Sequence, residues 1–342
     1  MAAFAAFALV ACQENRVADT PVDIDTPEEV KGREIDLTIK VDGGITKATS
    51  VTEAGEKTVN TLQVYIFRTD DNMSLDACGM ASTNLVNVKC TSGPRRIYAL
   101  VNAPDIRDKV FNEADLLAAN SLLTDNSAPT NLVMIGNVDK TLTVPGEAVS
   151  VEVKRIAASI VINRISTNFT SAAQSAGDFR VRGIYLLNVN GKNNYAINAP
   201  ATETGYWYNR LSKTENAFPT AGICADTGMS EVVTTSKAYD KVHTFYAYPN
   251  REAYASSATW SSRATLLVVE CTFKGATDTN ETTYYYPIAV ENIESNKKYI
   301  IPELIITRLG SQDPHEEVTF ADCSFSVTVK DWDKPSMSSE TI

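Results

Sequence analysis

Few residues in this chain have the chemistry for acid–base or metal work, and their spacing keeps them apart. The 342-residue sequence holds two histidines. His243 lies in the alternating stretch KVHTFYAYPN, where a part-buried structural histidine is expected, and His315 lies in DPHEE, a solvated loop pattern. The neighbours Asp70-Asp71 and Glu316-Glu317 would face opposite ways on extended backbone, so neither pair closes on one substrate, and both read as turn or surface charges. No GxSxG, GxGxxG, phosphate-binding glycine-lysine loop or HExxH is present. Tyr206-Trp207-Tyr208 and Tyr284-Tyr285-Tyr286 have ring faces that stack on sugars, although packing within their own domain is the commoner use of such rings. No catalytic, cofactor-binding or metal-binding residue is assigned, and no enzyme activity is expected.

The bulk properties point the same way. A net charge of -11 argues against nucleic acid, which needs clustered Lys and Arg. Hydrophobic content of 44% and charged content of 21% suit a folded protein, and the length suits about two domains. Six cysteines are present. Cys78, Cys90, Cys224, Cys271 and Cys323 make no CxxC or zinc spacing, and an odd number cannot all pair within the chain. Cys78 and Cys90 are the one pair near enough in sequence to suspect of a disulfide; the others read as small buried apolar residues. The sixth, Cys12, ends the short apolar run MAAFAAFALVAC, too short to span a bilayer. Leu-Val-Ala-Cys resembles a bacterial lipobox, so residues 1–12 read as a lipoprotein signal peptide and Cys12 as the lipidated residue. No Lys or Arg precedes the run. Residues 13–33 are acidic and polar with two prolines, the composition of a tether.

The elements that must position any site are strands. EIDLTIKVD, from residue 34, puts Ile35, Leu37, Ile39 and Val41 on one face and Glu34, Asp36, Thr38 and Lys40 on the other. Strands are further expected at 61–67, 85–90, 96–103, 131–136, 140–144 and 149–165, with one helical interlude at 104–123. The small polar segment 166–178 reads as a boundary. Beyond it, strands are expected at 180–191, 241–250, 263–273, 282–290, 297–310 and 318–332. Many short strands without β-α alternation predict an all-β chain of antiparallel sandwiches, one over 34–165 and one over 166–342.

Three stretches, VNVKCTSGPRRIYALVNAPD (86–105), VEVKRIAASIVI (151–162) and NKKYIIPELIITRLGSQDP (296–314), followed by a terminal VTVKDW, resemble the fimbrillins, type V pilus subunits of Bacteroides-like bacteria. The likeness runs in order over most of the chain, and no single motif carries it. It implies two tandem transthyretin-like sandwiches with short helical insertions in an outer-membrane lipoprotein precursor that ends up in a cell-surface fimbrium. It also implies partners: a trypsin-like Arg- or Lys-specific maturation protease, and other pilus subunits. The protease cuts in the loop after the first strand, and a C-terminal strand of another subunit fills the groove left behind. On this chain the cut falls between Lys47 and Ala48, with 34–47 as the removable strand and loop; Arg33 competes, but cutting there leaves the strand attached. The family more often has Arg where Lys47 stands. The donor face would be Cys323, Phe325, Val327 and Val329, four inward positions matching Ile35, Leu37, Ile39 and Val41. A monomeric surface glycan-binding lipoprotein, or a pilus tip adhesin, is the alternative.

Overall fold

The computed structural model describes residues 32–42, 55–143, 148–197, 207–208, 223–251, 264–316, 318 and 322–332. Cys12, Gly43-Gly44, Lys47, Ala48, Tyr206 and Glu317 lie outside the described residues.

The first strands are β1 (Glu34–Asp42), β2 (Leu62–Arg68), β3 (Ser74–Ala81), β4 (Leu85–Thr91), β5 (Gly93–Val101), β6 (Asn120–Leu122), β7 (Met134–Leu142), β8 (Ala148–Glu152) and β9 (Lys154–Arg155). After them come β10 (Ala158–Ile162), β11 (Ile165–Thr167), β12 (Asp178–Leu187), β13 (Val189–Asn190), β14 (Lys192–Asn194), β15 (Trp207–Tyr208) and β16 (Ala225–Val232). The chain closes with β17 (His243–Ala247), β18 (Thr265–Lys274), β19 (Thr282–Val290), β20 (Lys297–Ile301), β21 (Leu304–Ile306), β22 (Cys323–Ser324) and β23 (Thr328–Asp331). Among the described residues helix is confined to short pieces, so the all-β expectation stands.

In the N-terminal half a five-stranded sheet, β3-β2-β5-β7-β9, faces a three-stranded sheet, β4-β1-β8. Alternation explains the three-stranded sheet: Ile35, Leu37, Ile39 and Val41 of β1 and Val86, Val88 and Cys90 of β4 all point into the shared core. In contrast, β2 and the second half of β5, Ile97 to Val101, read as nearly unbroken apolar runs because both faces are covered. Leu62, Val64 and Ile66 enter the first core, while Tyr65 and Phe67 enter a second, larger one. That second core continues through Leu100 and Ile135 to Phe179, Phe245, Tyr286 and Ile301 of the C-terminal half. There the main sheets are β16-β12-β18-β19, β17-β10-β20-β23 and β11-β21-β22.

Several expectations shift. Residues 149–165 form four short strands: β8 and β9 belong to the N-terminal sheets, whereas β10 pairs with β17 and β20. The chain therefore changes sheet systems at Ile156-Ala157, upstream of the 166–178 segment. The crossing is fixed where Ser295 Oγ donates to the Ile156 carbonyl (2.8 Å) and Asn296 N donates to the Ala157 carbonyl (3.0 Å). The helix expected over 104–123 shrinks to α1 (Glu113–Ala118), started by an Asn112–Asp115 capping box. It stops early because Asn120–Leu122 pairs with Lys192–Asn194 instead. The stretch 131–144 holds one strand, β7, rather than two. Pro302, without an N–H, separates β20 from β21 within the stretch 297–310.

Candidate functional site

The first strand occupies the centre of its sheet. It runs antiparallel to β4, from Glu34 opposite Thr91 to Lys40 opposite Leu85, and parallel to β8, from Thr38 opposite Ala148 to Asp42 opposite Glu152. Leu37 and Ile39 are 0% exposed. Four such side chains are worth about 6 to 12 kcal/mol at roughly 1.5–3 each, and each ladder bond adds about 0.5–1.5 kcal/mol net. Removing β1 would open a slot whose floor is Leu62, Val64, Ile97, Ala99 and Val101 and whose two walls present unpaired backbone edges.

The end of β4 is fastened without help from β1. The Asp76 carboxylate accepts from Thr91 N (2.9 Å), Arg95 Nε (2.8 Å) and Arg68 Nη2 (2.7 Å), which ties the end of β4 to β3, β5 and β2. Burial pushes the Asp76 carboxyl up, but the bonds from Thr91, Arg95 and Arg68 outweigh it and hold the acid below its ordinary value. The nearby Cys90 thiol is pushed up to about 11, mainly by burial. On the other side β8 lies against β7 at Gly136, where an added Cβ would stand 1.8 Å from the Glu152 carbonyl oxygen. Only glycine permits that approach. At the head of the slot Ser92 N donates to the Arg33 carbonyl (2.8 Å) and Arg33 N to Ser92 Oγ (3.0 Å), so Arg33 extends the ladder.

Among the described residues the C-terminal segment pairs on one side only. Expected as one strand over 318–332, it forms β22, antiparallel to β21, and β23, antiparallel to β20, separated by residues 325–327. Cys323 is buried, and Phe325 and Val327 pack part-buried against the large core. Val329 is 54% exposed, because β23 is the edge strand of its sheet and its outer face meets solvent. The segment is pinned at its base by Thr307 N and Arg308 N, which donate to the Asp322 carbonyl (2.8 and 3.1 Å). At its far end is a cluster that no spacing in the sequence announced. Glu56, buried just after the 43–54 stretch, accepts from Trp332 Nε1 (2.8 Å) and Tyr246 Oη (3.0 Å). Its backbone carbonyl accepts from Arg155 Nη2 (2.9 Å), and Lys298 Nζ lies 3.6 Å from its carboxylate. The available signal was Arg155, a cation inside the apolar run VEVKRIAASIVI.

The remaining chemical candidates are structural. His243 accepts or shares a hydrogen bond with Tyr239 Oη (2.7 Å) and meets Asp226 (2.8 Å). Burial lowers its pKa, and Asp226 opposes part of that shift. His315 sits in its loop beside Asp313. Asp70 and Asp71 make long ion pairs to Arg95 (3.9 Å) and Arg68 (4.0 Å). Trp207 and Tyr208 are buried, and so is Tyr286 in the large core, so these rings offer no open face for a sugar. The suspected Cys78–Cys90 disulfide is overturned, for both thiols are free. Cys78 packs against the large core and Cys90 points into the core around β1, so they lie on different faces. Among the described residues no group of His, Cys, Asp and Glu could hold a metal ion, and no helix is long and apolar enough to cross a membrane.

The fold is that of solved fimbrilins. A fimbrilin (FimA) from Porphyromonas gingivalis W83 superposes with a TM-score of 0.62 at 16% identity, over 89% of this chain and 98% of the other. A proposed cell adhesion protein from Bacteroides eggerthii gives a TM-score of 0.61 at 20% identity, over 89% and 97%. In sequence, residues 35–178 match the family of the major fimbrial subunit protein (FimA). The major fimbrium subunit FimC of Porphyromonas gingivalis is 24% identical over 271 residues, 72% of this chain and 52% of its own length. This chain thus spans about half the length of the curated relatives it matches, and its resemblance to the fimbrillins is shown.

Proposed function

We propose that this protein is a structural pilus subunit, exported as a lipoprotein precursor through Cys12 and matured by proteolysis at Lys47-Ala48. It has no enzymatic role in this reading. A trypsin-like protease cuts after Lys47, β1 leaves, and the C-terminal strand of another subunit enters between β4 and β8. The subunit thereby passes from the outer membrane to a cell-surface fimbrium that serves adhesion. In this reading the two sheet systems are tandem transthyretin-like domains, and the partners are further copies or tip and anchor subunits.

The observation that carries the reading is the contrast between the two strands. β1 is paired on both edges with its apolar face fully buried, in a slot whose β4 wall is tied independently and whose β8 wall lies close against β7. Among the described residues the C-terminal segment is paired on one edge only, with Val329 open to solvent. A strand moving from the second position to the first gains a second row of backbone bonds and a dry floor. While β1 stays tethered, its effective concentration is on the order of millimolar and an incoming strand cannot displace it; cutting removes that advantage.

The test is limited trypsin digestion followed by N-terminal sequencing and electron microscopy. A new N-terminus at Ala48 together with filaments is expected, and Lys47→Ala is expected to keep the fold but form none. A chain that is cut at Ala48 and stays monomeric would sink the reading.

A further inference from the structure

We propose that Glu56 is a latch that keeps the C-terminal strand docked on its own subunit by holding Trp332. The inference rests on the strand-donation reading above, and it concerns the donor end where that reading concerned the acceptor slot.

Trp332 directly follows β23, so the strand cannot leave its sheet while the indole stays in place. The indole is gripped on several sides. Its N–H donates to the Glu56 carboxylate (2.8 Å). The Tyr246 ring stacks against it at 5.9 Å and 10°, and the Arg155 guanidinium lies 4.5 Å from the ring centroid, with the Lys298 ammonium at 5.6 Å. Its backbone N donates to the Asn296 carbonyl (3.2 Å). Between that end and the buried Cys323, β23 is exposed along its length and pairs with β20, with the Lys297–Asp331 ion pair (2.5 Å) beside it. Trp332 is thus the part-buried anchor at the far end of an exposed strand.

The partners of that grip come from distant parts of the chain. Tyr246 and Lys298 belong to the sheet that β23 edges, whereas Arg155 stands where the chain crosses between sheet systems. Glu56 stands a few residues beyond Lys47, on the segment that proteolysis would turn into the new N-terminus. A buried carboxylate whose bonds are charge-assisted is a strong point of attachment, and its neighbour in sequence is the proposed cutting loop. The arrangement makes one subunit's readiness to accept a strand and its readiness to give one depend on the same short stretch.

Hydrogen–deuterium exchange on the full uncut chain tests the latch apart from assembly. Trp332→Phe keeps an aromatic ring against Tyr246 and Arg155 but removes the N–H donor. It is expected to speed exchange of residues 323–332 about tenfold while β12 and β18 keep wild-type protection, which reports an intact fold. Glu56→Gln, which keeps an acceptor and loses the charge, is expected to give a smaller acceleration. Wild-type exchange over 323–332 in both variants would overturn the latch. Filament formation by the trypsin-cut variants is read separately: faster exchange without filaments counts against strand donation and leaves the latch standing.

Discussion

At the scale of single residues the acid Asp76 ties the end of β4 to β2, β3 and β5. Its carboxylate is held below its ordinary 3.8 by Thr91, Arg95 and Arg68 despite burial. A folded-state value below the unfolded one means that its stabilisation is complete above the unfolded value and is lost as pH falls through the folded one. Wild-type protein should therefore lose more stability than Asp76→Asn between about pH 6 and about pH 3, measured by denaturant unfolding at each pH. The Asp76 network was not visible in the sequence, because it depends on how four successive strands pair, and of the Glu56 cluster only Arg155 gave a signal, because its members come from parts of the chain far apart. The apolar face of β1 was legible in full, because a strand with one face buried writes period-two alternation directly into neighbouring residues. Cys78 and Cys90 misled for the related reason that nearness along the chain says nothing about which core a side chain enters.

Among the elements, strands that bury one face or both were foreseen: β1, β2, β4 and β5 fall within a residue or three of their expected spans. The two longest strands that went unread, β3 and β16, have weak patterns: SLDACGMA and ADTGMSEV carry no alternation, and they form by pairing beside well-defined neighbours. The C-terminal strand was legible as a pattern, but its interruption at 325–327 was not, because the sheet it pairs with changes there. The contact of β7 with β8 at Gly136 offers a test at this scale. Gly136→Ala places a methyl within 1.8 Å of the Glu152 carbonyl oxygen, so β8 must move off. The expected cost is about 1–3 kcal/mol, read by denaturant unfolding, with faster amide exchange in β8 and β1.

Across the whole molecule the two sheet systems are joined by more than a linker. The large core runs from Tyr65, Phe67 and Leu100 into Phe179, Phe245 and Ile301, and the crossing at Ile156-Ala157 is bonded to Ser295 and Asn296. Shared burial of this kind couples unfolding, so calorimetry of the uncut protein should give one transition with matching calorimetric and van't Hoff enthalpies. Two separated transitions would contradict a common core. The mixed neighbours of β1, antiparallel β4 and parallel β8, carry a further consequence. In the proposed exchange a strand entering backwards would have to reverse its hydrogen-bond pattern on both sides at once, so the slot would read direction as well as shape. A row of such joints would have two unlike ends, and a pull along the fibre would load the bonds of every joint side by side in shear rather than peel them one at a time.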